Sequence, residues 1–317
     1  MMNVIGIGDN VVDKYAHTQT MYPGGNALNF AAYAAMLGHN AAYLGIFGND
    51  AAAEHVMQVL DKVGVKWPHC LQVAGENGCA QLKIEEGERI FLGSNAGGIR
   101  KTTSMDFIFQ HEQYLREFDL IHSGCYSYME TQLPQLRKLN IPVSFDFSDD
   151  FVLEQALPLC RYVDFSFFSC ADYSLAQTRE IVQQAQASGS RIVCATRGDE
   201  GAILFDGQDW YQQAPDYVTP VDTMGAGDAF ITAFVCHFLA QPTGNKREAI
   251  TNSLQKAAAF SAQICLKEGA FGYGTPLLTY NALSHFSVLI SVRLPGGNGD
   301  SCAFSVRKEL CIVKLLI

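Results

Sequence analysis

A turn of small residues runs directly into an apolar helix near the C-terminal third of the chain. The segment Asp222-Thr223-Met224-Gly225-Ala226-Gly227-Asp228 precedes the apolar residues 229–234. Small residues permit a tight turn, so successive N–H groups can point at one spot at the positive end of the helix, where anions bind. Asp228 follows within the first helical turn. Phosphoryl transfer requires hydrogen-bond donors that stabilise the developing negative charge and a base that accepts the proton of the attacking hydroxyl.

A purely structural interpretation of this turn also exists. Glycine-rich loops open many helices, and an aspartate in the first turn is favourable for the helix dipole alone. The polar pair Asp222-Thr223 and the nearly all-apolar helix favour a functional loop on a rigid, buried platform. No lysine follows the glycines, so the loop is not of the Walker type. No G-x-G-x-x-G stands here either, which argues against a dinucleotide fold.

A second polar group lies near the N-terminus. Asp9 and Asp13 stand at and just past the end of a predicted first strand, and Pro23-Gly24-Gly25-Asn26 opens a helix with Asn29 one turn later. The carboxyl ends of parallel strands form the ligand crevice of open sheets. Carboxylates and amides there suit sugar hydroxyls. The alternative is that the aspartates are turn residues and that Asn26 is a helix N-cap.

A third group follows a later strand, where Thr196 is succeeded by a turn containing Gly198 and Gly201. By itself this pattern is typical of a simple β-turn. It again lies on the presumed ligand edge of the sheet.

These groups require a scaffold, and strand-like and helical segments alternate along most of the chain. This alternation predicts a mainly parallel sheet covered by helices on both faces. Short alternating segments at 79–84 and 89–92 predict a hairpin with one exposed face, which would form a small lid. Residues 276–317 do not fit the pattern, and we assign them no function. The predicted strands are 3–8, 41–47, 120–123, 142–146, 162–166 and 191–196, and the predicted helices are 26–37, 52–63, 131–139 and 174–188.

Bulk composition narrows the class of protein. Of 317 residues, 48% are hydrophobic and 17% charged, which permits a large core and argues against global disorder. The net charge of −10 argues against nucleic acid and anionic membranes as main partners, although a local positive pocket for ATP remains compatible with it. Ten cysteines are scattered without zinc-site spacing, and neither a signal peptide nor a membrane span is evident. We therefore expect a cytoplasmic protein.

Together these segments resemble the PfkB (ribokinase-like) carbohydrate kinase family. Residues 24–29 with the Ala-rich helix to Gly38 are similar to its N-terminal signature, and residues 222–228 to its C-terminal signature; Gly45-Ile46-Phe47-Gly48-Asn49-Asp50 also matches. The resemblance covers about residues 3–275. Within the family, residues 7–13, residues 144–149 and Met224 look most like the fructoselysine 6-kinase subfamily.

The resemblance implies a fold and a domain plan. The expected fold is a three-layer α/β sandwich with a mainly parallel central sheet and a small β lid. A kinase domain would span 1–275, with the lid contributed by about 10–22 and 70–95, before the atypical tail 276–317. A homodimer through the lid is a further expectation, because the protruding hairpin is often a dimer clasp in this family.

The resemblance also implies roles for individual residues. Asp228 would be the catalytic base, and the N–H groups of Gly225, Ala226 and Gly227 the anion hole. The remaining assignments divide into sugar binding by Asp9, Asp13, Gly24, Gly25, Asn26 and Asn29, nucleotide binding by Thr196, Gly198 and Gly201, and a monovalent cation such as K⁺ at Asp222 and Thr223.

One segment departs from the family pattern. Members often carry N-x-x-E before the nucleotide-binding turn, where it organises Mg²⁺ through water, whereas this chain has Ser169-Cys170-Ala171-Asp172. Asp172 could replace the carboxylate at shorter reach. Magnesium is still expected, since the phosphates of ATP require charge neutralisation.

The resulting hypothesis is a kinase that transfers the γ-phosphoryl group of ATP to the primary hydroxyl of a sugar, with fructoselysine preferred. Fructose, ribose or a nucleoside could be the acceptor instead, because kinases for these share the motifs. A non-catalytic sugar-binding protein of the same fold is the alternative from another class; the intact Asp228 and glycine loop argue against it.

Overall fold

Nine strands form the central sheet of the computed structural model, which describes residues 1–85, 88–241 and 244–277. Six neighbouring pairs are parallel, and the last two strands join one edge as antiparallel strands. The predicted tail lies, from residue 278 onward, outside the described residues. In spatial order the strands are β13 (Trp210–Gln213), β12 (Ala202–Phe205), β11 (Ile192–Thr196), β10 (Phe165–Ser169), β9 (Val143–Asp146), β8 (Leu120–Gly124), β1 (Asn3–Gly8), β4 (Asn40–Phe47) and β5 (Leu71–Gln72).

Helices cover both faces of this sheet, which completes three layers. Phe167 and Phe168 on β10 show the two faces, since neighbouring strand residues point in opposite directions. Phe167 meets Phe234 at 6.1 Å between ring centroids, whereas Phe168 stacks on Phe147 at 4.7 Å within the opposite core. The helices are α1 (Asn26–Met36), α2 (Ala51–Val63), α3 (Glu112–Leu115), α4 (Leu133–Arg137), α5 (Leu153–Ala156), α6 (Leu175–Ala187), α7 (Ala226–Ala240) and α8 (Lys246–Ile264).

A second, five-stranded sheet forms the small lid that the fold resemblance implies. Its order is β14-β3-β2-β6-β7, with β2 and β6 parallel and the other pairs antiparallel. Strands β2 and β3 come from the segment between β1 and α1, so the lid is covalently tied to both. The strands are β2 (Val11–Tyr15), β3 (Thr20–Gly24), β6 (Gly78–Glu85), β7 (Glu88–Ser94) and β14 (Thr275–Pro276).

Most elements lie within a residue or two of their predicted bounds, and two show differences with an identifiable cause. The helix predicted over 131–139 is α-helical only at α4, because 3₁₀-type bonds close the chain on either side and Asn140 adopts a left-handed conformation with φ 56°. The strand predicted over 162–166 begins at Phe165 instead, since a 3₁₀ helix extends to Tyr162. The Asp164 side chain then accepts a bond from the Val143 N–H, which sets the start of β10 beside β9.

Candidate active site

Asp228 lies in the first turn of α7, opposite the first turn of α1. The Nδ2 group of Asn26 donates to Oδ1 of Asp228 at 2.8 Å, and the Nδ2 group of Asn29 donates to Oδ2 at 2.6 Å. The predicted sugar-binding amides and the predicted base are therefore brought together, although about 200 residues separate them. Two amide donors fix the carboxylate plane and leave its remaining lone pairs for another partner.

The environment of Asp228 suits a general base. Burial raises the pKa of its carboxyl to about 6, against the lowering effect of the bonds from Asn29 and Asn26; the charge of Asp9 adds to the rise. A base with a pKa slightly below neutrality is ionised at pH 7 and still accepts a proton readily.

A second carboxylate, Asp146 at the end of β9, shares this arrangement. Asn26 uses the same Nδ2 group to donate to Oδ2 of Asp146 at 2.9 Å. Burial, followed by the charge of Asp228, raises the pKa of Asp146 to about 7. We did not assign Asp146 a role from the sequence. The signal was present, because it stands at the carboxyl end of a parallel strand, as Asp9 does.

Asp9 accepts hydrogen bonds at the start of α1. Its Oδ2 accepts the Asn26 N–H at 2.7 Å, and its Oδ1 accepts the Ala27 N–H at 3.1 Å and the Ser127 hydroxyl at 2.6 Å. A carboxylate is thus placed at the positive end of α1, where it satisfies donors that have no acceptor within the helix. Asp9 supports the position of Asn26, and its sugar-binding role stays a prediction.

Asp13 and the two glycines of the N-terminal signature lie together between the lid and α1. A Cβ added at Gly24 would come within 2.5 Å of Oδ2 of Asp13, and one at Gly25 within 2.9 Å of Oδ2 of Asp9. Gly25 also has φ 108°, a conformation that favours glycine. The glycines therefore let the backbone approach both carboxylates closely, and Asp13 is 5% exposed.

The three residues of the predicted anion hole have different environments. Gly225 has φ 73° and packs against Tyr33 and Ala270, so its small size serves the turn. The Ala226 N–H donates to the Thr223 carbonyl at 3.2 Å. Gly227 is exposed, with nothing within 4 Å of an added Cβ, and its N–H lies in the helix turn that lacks internal acceptors.

Asp222, predicted to hold a monovalent cation, is a buried anchor for this loop. Oδ1 accepts the Met224 N–H at 3.0 Å, while Oδ2 accepts the Gly269 N–H at 3.0 Å and the Tyr15 hydroxyl. Thr223 beside it is exposed. The carboxylate thus joins the loop, the 269 segment and the lid, and a cation there stays a prediction.

A cavity of ≈ 460 Å³ adjoins the glycine loop and contains the predicted nucleotide residues. Thr196, Gly198 and Gly201 line one wall, and Ala226 and Gly227 line another. The structure therefore brings the first and third groups of the sequence analysis, the glycine loop and the turn after Thr196, to one cavity. Its remaining walls were not predicted from the sequence; they come from residues 213–218, Pro220 and the α8 side chains Ala258, Ser261 and Ala262 with the following Cys265.

The segment that replaces N-x-x-E lies at the end of β10. Asp172 is exposed, whereas Cys170 is buried and its pKa is raised to about 11, so it stays a neutral thiol. Within the described residues no three His, Cys, Asp or Glu side chains gather in a metal-binding group. Mg²⁺ in proteins usually keeps several waters and is bound through one or two carboxylates together with substrate phosphates. Asp172, exposed three residues after the end of β10, offers one carboxylate for that mode.

Comparison with known proteins agrees with these features. The model of the pfkB family carbohydrate kinases matches residues 1–273. The chain is 42% identical over 276 residues to the fructosamine kinase FrlD of Bacillus subtilis (strain 168), covering 87% of this chain and 95% of that protein. It is 32% identical over 246 residues to fructoselysine 6-kinase of Escherichia coli (strain K12), covering 77% and 92%.

A solved structure shows the same fold. Ribokinase of Arabidopsis thaliana, complexed with ribose and ATP, aligns with a TM-score of 0.73 and 19% sequence identity over 90% of this chain and 99% of that chain. The expected ribokinase-like α/β fold is thereby confirmed. No helix among residues 1–85, 88–241 and 244–277 is long and apolar enough to cross a membrane.

Proposed function

Because the chain belongs to the pfkB family of carbohydrate kinases, we propose that it transfers the γ-phosphoryl group of ATP to the 6-hydroxyl of a ketosamine, preferably fructoselysine. It is a phosphotransferase with an alcohol group as acceptor. The observation that carries the proposal is Asp228, which Asn26 and Asn29 hold by hydrogen bonds and which directly follows Gly227, a lining residue of the cavity. The likeness to the fructosamine kinase and the fructoselysine 6-kinase supports the ketosamine.

In the proposed reaction, Asp228 takes the proton of the acceptor hydroxyl. The hydroxyl oxygen forms a bond to the γ-phosphorus while the bond from that phosphorus to the bridging oxygen breaks, and ADP leaves with the electron pair. The N–H of Gly227, at the positive end of α7, would stabilise the charge on the transferring group. Mg²⁺, bound through the phosphates and water near Asp172, would neutralise their charge.

The sugar would bind between α1 and the lid. Asp13, Asn26 and Asn29 would bind its hydroxyls, with Gly24 and Gly25 allowing close approach. Oδ1 of Asn29 is buried and has no hydrogen-bond partner among the described residues, so a sugar hydroxyl would satisfy it. Closure of the lid sheet over the sugar would exclude water that would otherwise hydrolyse ATP.

We further propose a homodimer through the lid. Strand β7 is an edge strand, and Ile90, Phe91 and Leu92 on it are 38%, 61% and 50% exposed. Unpaired edges and clustered apolar residues favour association with a second copy of the strand. Phe91→Glu should shift the mass measured by light scattering from dimer to monomer. An unchanged mass, or a monomeric parent protein, would count against this interface.

We also propose a cellular location and a requirement for a monovalent cation. The eight cysteines that the structure describes are free thiols, which supports the cytoplasmic location that we propose. A monovalent cation near Asp222 and Thr223 predicts faster turnover in K⁺ than in an equal concentration of a large organic cation.

The decisive experiment is a screen for ADP release with fructoselysine, glucoselysine, fructose, ribose and nucleosides. We expect the highest kcat/KM with fructoselysine. Turnover confined to free sugars or nucleosides would replace the ketosamine with one of those substrates. Binding of sugars without ADP release would identify a non-catalytic sugar-binding protein.

A further inference from the structure

A buried histidine outside the proposed sugar site contacts the side-chain oxygen of Asn26, on the opposite side of the amide from the two carboxylates. His122 on β8 is 1% exposed and stacks on Phe30 of α1, with 4.4 Å between ring centroids. Its Nε2 lies 3.0 Å from Oδ1 of Asn26, and its Nδ1 lies 2.9 Å from the hydroxyl of Ser144 on β9. His122 and Ser144 are register partners in neighbouring strands, so the rigid sheet sets their spacing.

The hydrogen-bonding capacity of each group fixes the direction of the hydrogen bonds that run from Ser144 through His122 to Asn26. Burial lowers the pKa of His122 to about 3, so the ring is neutral and carries one N–H. The Oδ1 atom of Asn26 can only accept, which places that hydrogen on Nε2. Nδ1 is then an acceptor and receives the Ser144 hydroxyl hydrogen.

This direction determines how Asn26 faces the two carboxylates. With Oδ1 held by His122, both hydrogens of Nδ2 point away from it, one to Asp146 and one to Asp228. A flipped amide would set its oxygen against two carboxylates and its N–H against an N–H. The alignment of the base is therefore linked to a hydroxyl on β9 through an imidazole on β8.

We propose that Ser144 and His122 are positioning residues, which lock the orientation of the Asn26 amide and thereby align Asp228 for proton abstraction. This inference rests on the proposed function for its kinetic consequences, while the hydrogen-bond direction can be tested without any substrate.

Other groups also act on Asp228, and they stay constant in the test. Asp9 after β1 and Asp146 on β9 contribute negative charge to the cluster, and Asn29 on α1 donates to the second carboxylate oxygen. Tyr33 on α1 has its pKa raised by burial and then by Asp228, so it stays a neutral phenol. A change confined to the hydrogen bonds Ser144–His122–Asn26, here called the histidine relay, therefore reports how much the orientation of Asn26 contributes to the pKa and reactivity of Asp228.

The kinetic test compares Ser144→Ala with Ser166→Ala. Both serines are fully buried on central strands, but Ser166 bonds to Ser190, away from the site. Ser144→Ala should lower kcat roughly tenfold or more, with little change in KM, because a misoriented Asn26 amide would lose its hydrogen bond to the charged Asp228, and a bond to a charged group is worth at least about that factor. It should also move the acid limb of kcat/KM to higher pH. Ser166→Ala should leave both unchanged.

Two substitutions at the histidine sharpen the result. His122→Gln retains an N–H donor near the Nε2 position and should preserve most of kcat, whereas His122→Leu should lose it. Circular dichroism and Tm establish that each variant is folded. Wild-type pH profiles in folded Ser144→Ala and His122→Leu would overturn the proposal.

A spectroscopic readout separates this inference from the proposed substrate. In ¹⁵N spectra of the substrate-free protein, the ring of His122, assigned by its absence in His122→Gln, should carry its hydrogen on Nε2 and should not titrate between pH 5 and pH 8. The ¹³C signal of the Asp228 carboxyl should titrate at higher pH in Ser144→Ala than in Ser166→Ala. A hydrogen on Nδ1, or equal titration of Asp228 in both variants, would refute the relay even in a protein that phosphorylates no ketosamine.

Discussion

The hydroxyl of Tyr15 donates a hydrogen bond to the carboxylate of Asp222, across 207 positions of the chain. Tyr15 is the last residue of β2 in the lid, and Asp222 begins the turn that leads to Asp228. The same carboxylate accepts the Met224 and Gly269 N–H groups. The position of the lid and the shape of the glycine loop are thus linked through one buried side chain.

Replacing this carboxylate should loosen both parts. In Asp222→Ala the three donors lose their acceptor, and each buried donor left unsatisfied costs about 1–3 kcal/mol. We expect the free energy of unfolding to fall by about 3 kcal/mol or more and kcat to fall with it, as measured by denaturant titration and steady-state assay. Tyr15→Phe should cost about 1 kcal/mol.

Tyr22→Phe is the matched control for Tyr15→Phe. Tyr22 packs edge-on against Tyr15 at 4.9 Å between ring centroids, but its hydroxyl bonds to Glu268. It should lose similar stability and keep a wild-type kcat. Equal loss of kcat in both tyrosine variants would contradict a specific link from Tyr15 to the loop.

Replacing each of the two loop glycines by alanine should affect a different property, stability at Gly225 and ATP binding at Gly227. At Gly225 an added Cβ would lie 2.8 Å from the Cβ of Ala270, and φ of 73° costs an L-residue about 1–2 kcal/mol. Gly225→Ala should therefore lower Tm. Gly227→Ala should keep Tm but raise the KM for ATP, because the new methyl group projects into open space beside the nucleotide cavity. Loss of stability in Gly227→Ala would contradict the open space.

Removing the charge of Asp228 should abolish the chemistry while leaving the fold intact. Asp228→Asn retains the shape of the side chain and loses the base, so kcat should fall by roughly 10²–10⁴-fold, the usual contribution of general-base catalysis. Coupled ADP-release assays measure this. Asp150→Asn, an exposed position following β9, controls for an effect of net charge. Near-normal turnover in Asp228→Asn would remove this residue from the mechanism.

Asp146 should make stability depend on pH in an identifiable direction. Its pKa is about 7 in the folded protein and about 3.9 in an unfolded chain, so the folded state holds the proton more tightly. Its contribution to stability is fully present below pH 4 and declines as pH rises through 7, by about 1.4 kcal/mol for each tenfold difference in proton affinity. Asp146→Asn lacks this proton and should gain Tm relative to wild type at pH 8.

The comparison at acid pH controls for the substitution itself. By pH 5 the wild type has lost only about one of the roughly three pH units over which this contribution declines, so Asp146→Asn should gain clearly less Tm at pH 5 than at pH 8. A Tm difference that stays constant from pH 5 to pH 8 would show that the carboxyl titrates as an exposed aspartate does.

Several features could be predicted from the sequence because their causes are local. The glycine turn before α7 requires small residues and a helix start, both visible in residues 222–228. The alternation of β-strands and helices follows from hydrophobic periodicity, and the family resemblance rests on motifs that occupy consecutive positions. These suffice for the fold class, the kinase activity and Asp228 as the candidate base.

Contacts between distant segments were decided only by the tertiary structure. The order β8-β1-β4 with β9 beside β8 is not contained in periodicity, yet it places His122, Ser144 and Asp146 around Asn26. The same packing brings the carboxylate of Asp9 to the Asn26 and Ala27 N–H groups at the start of α1. Motifs predict which groups can react, because local geometry depends on neighbouring residues. The groups that align the reacting residues depend on strand order, and strand order is set by packing of the whole sheet.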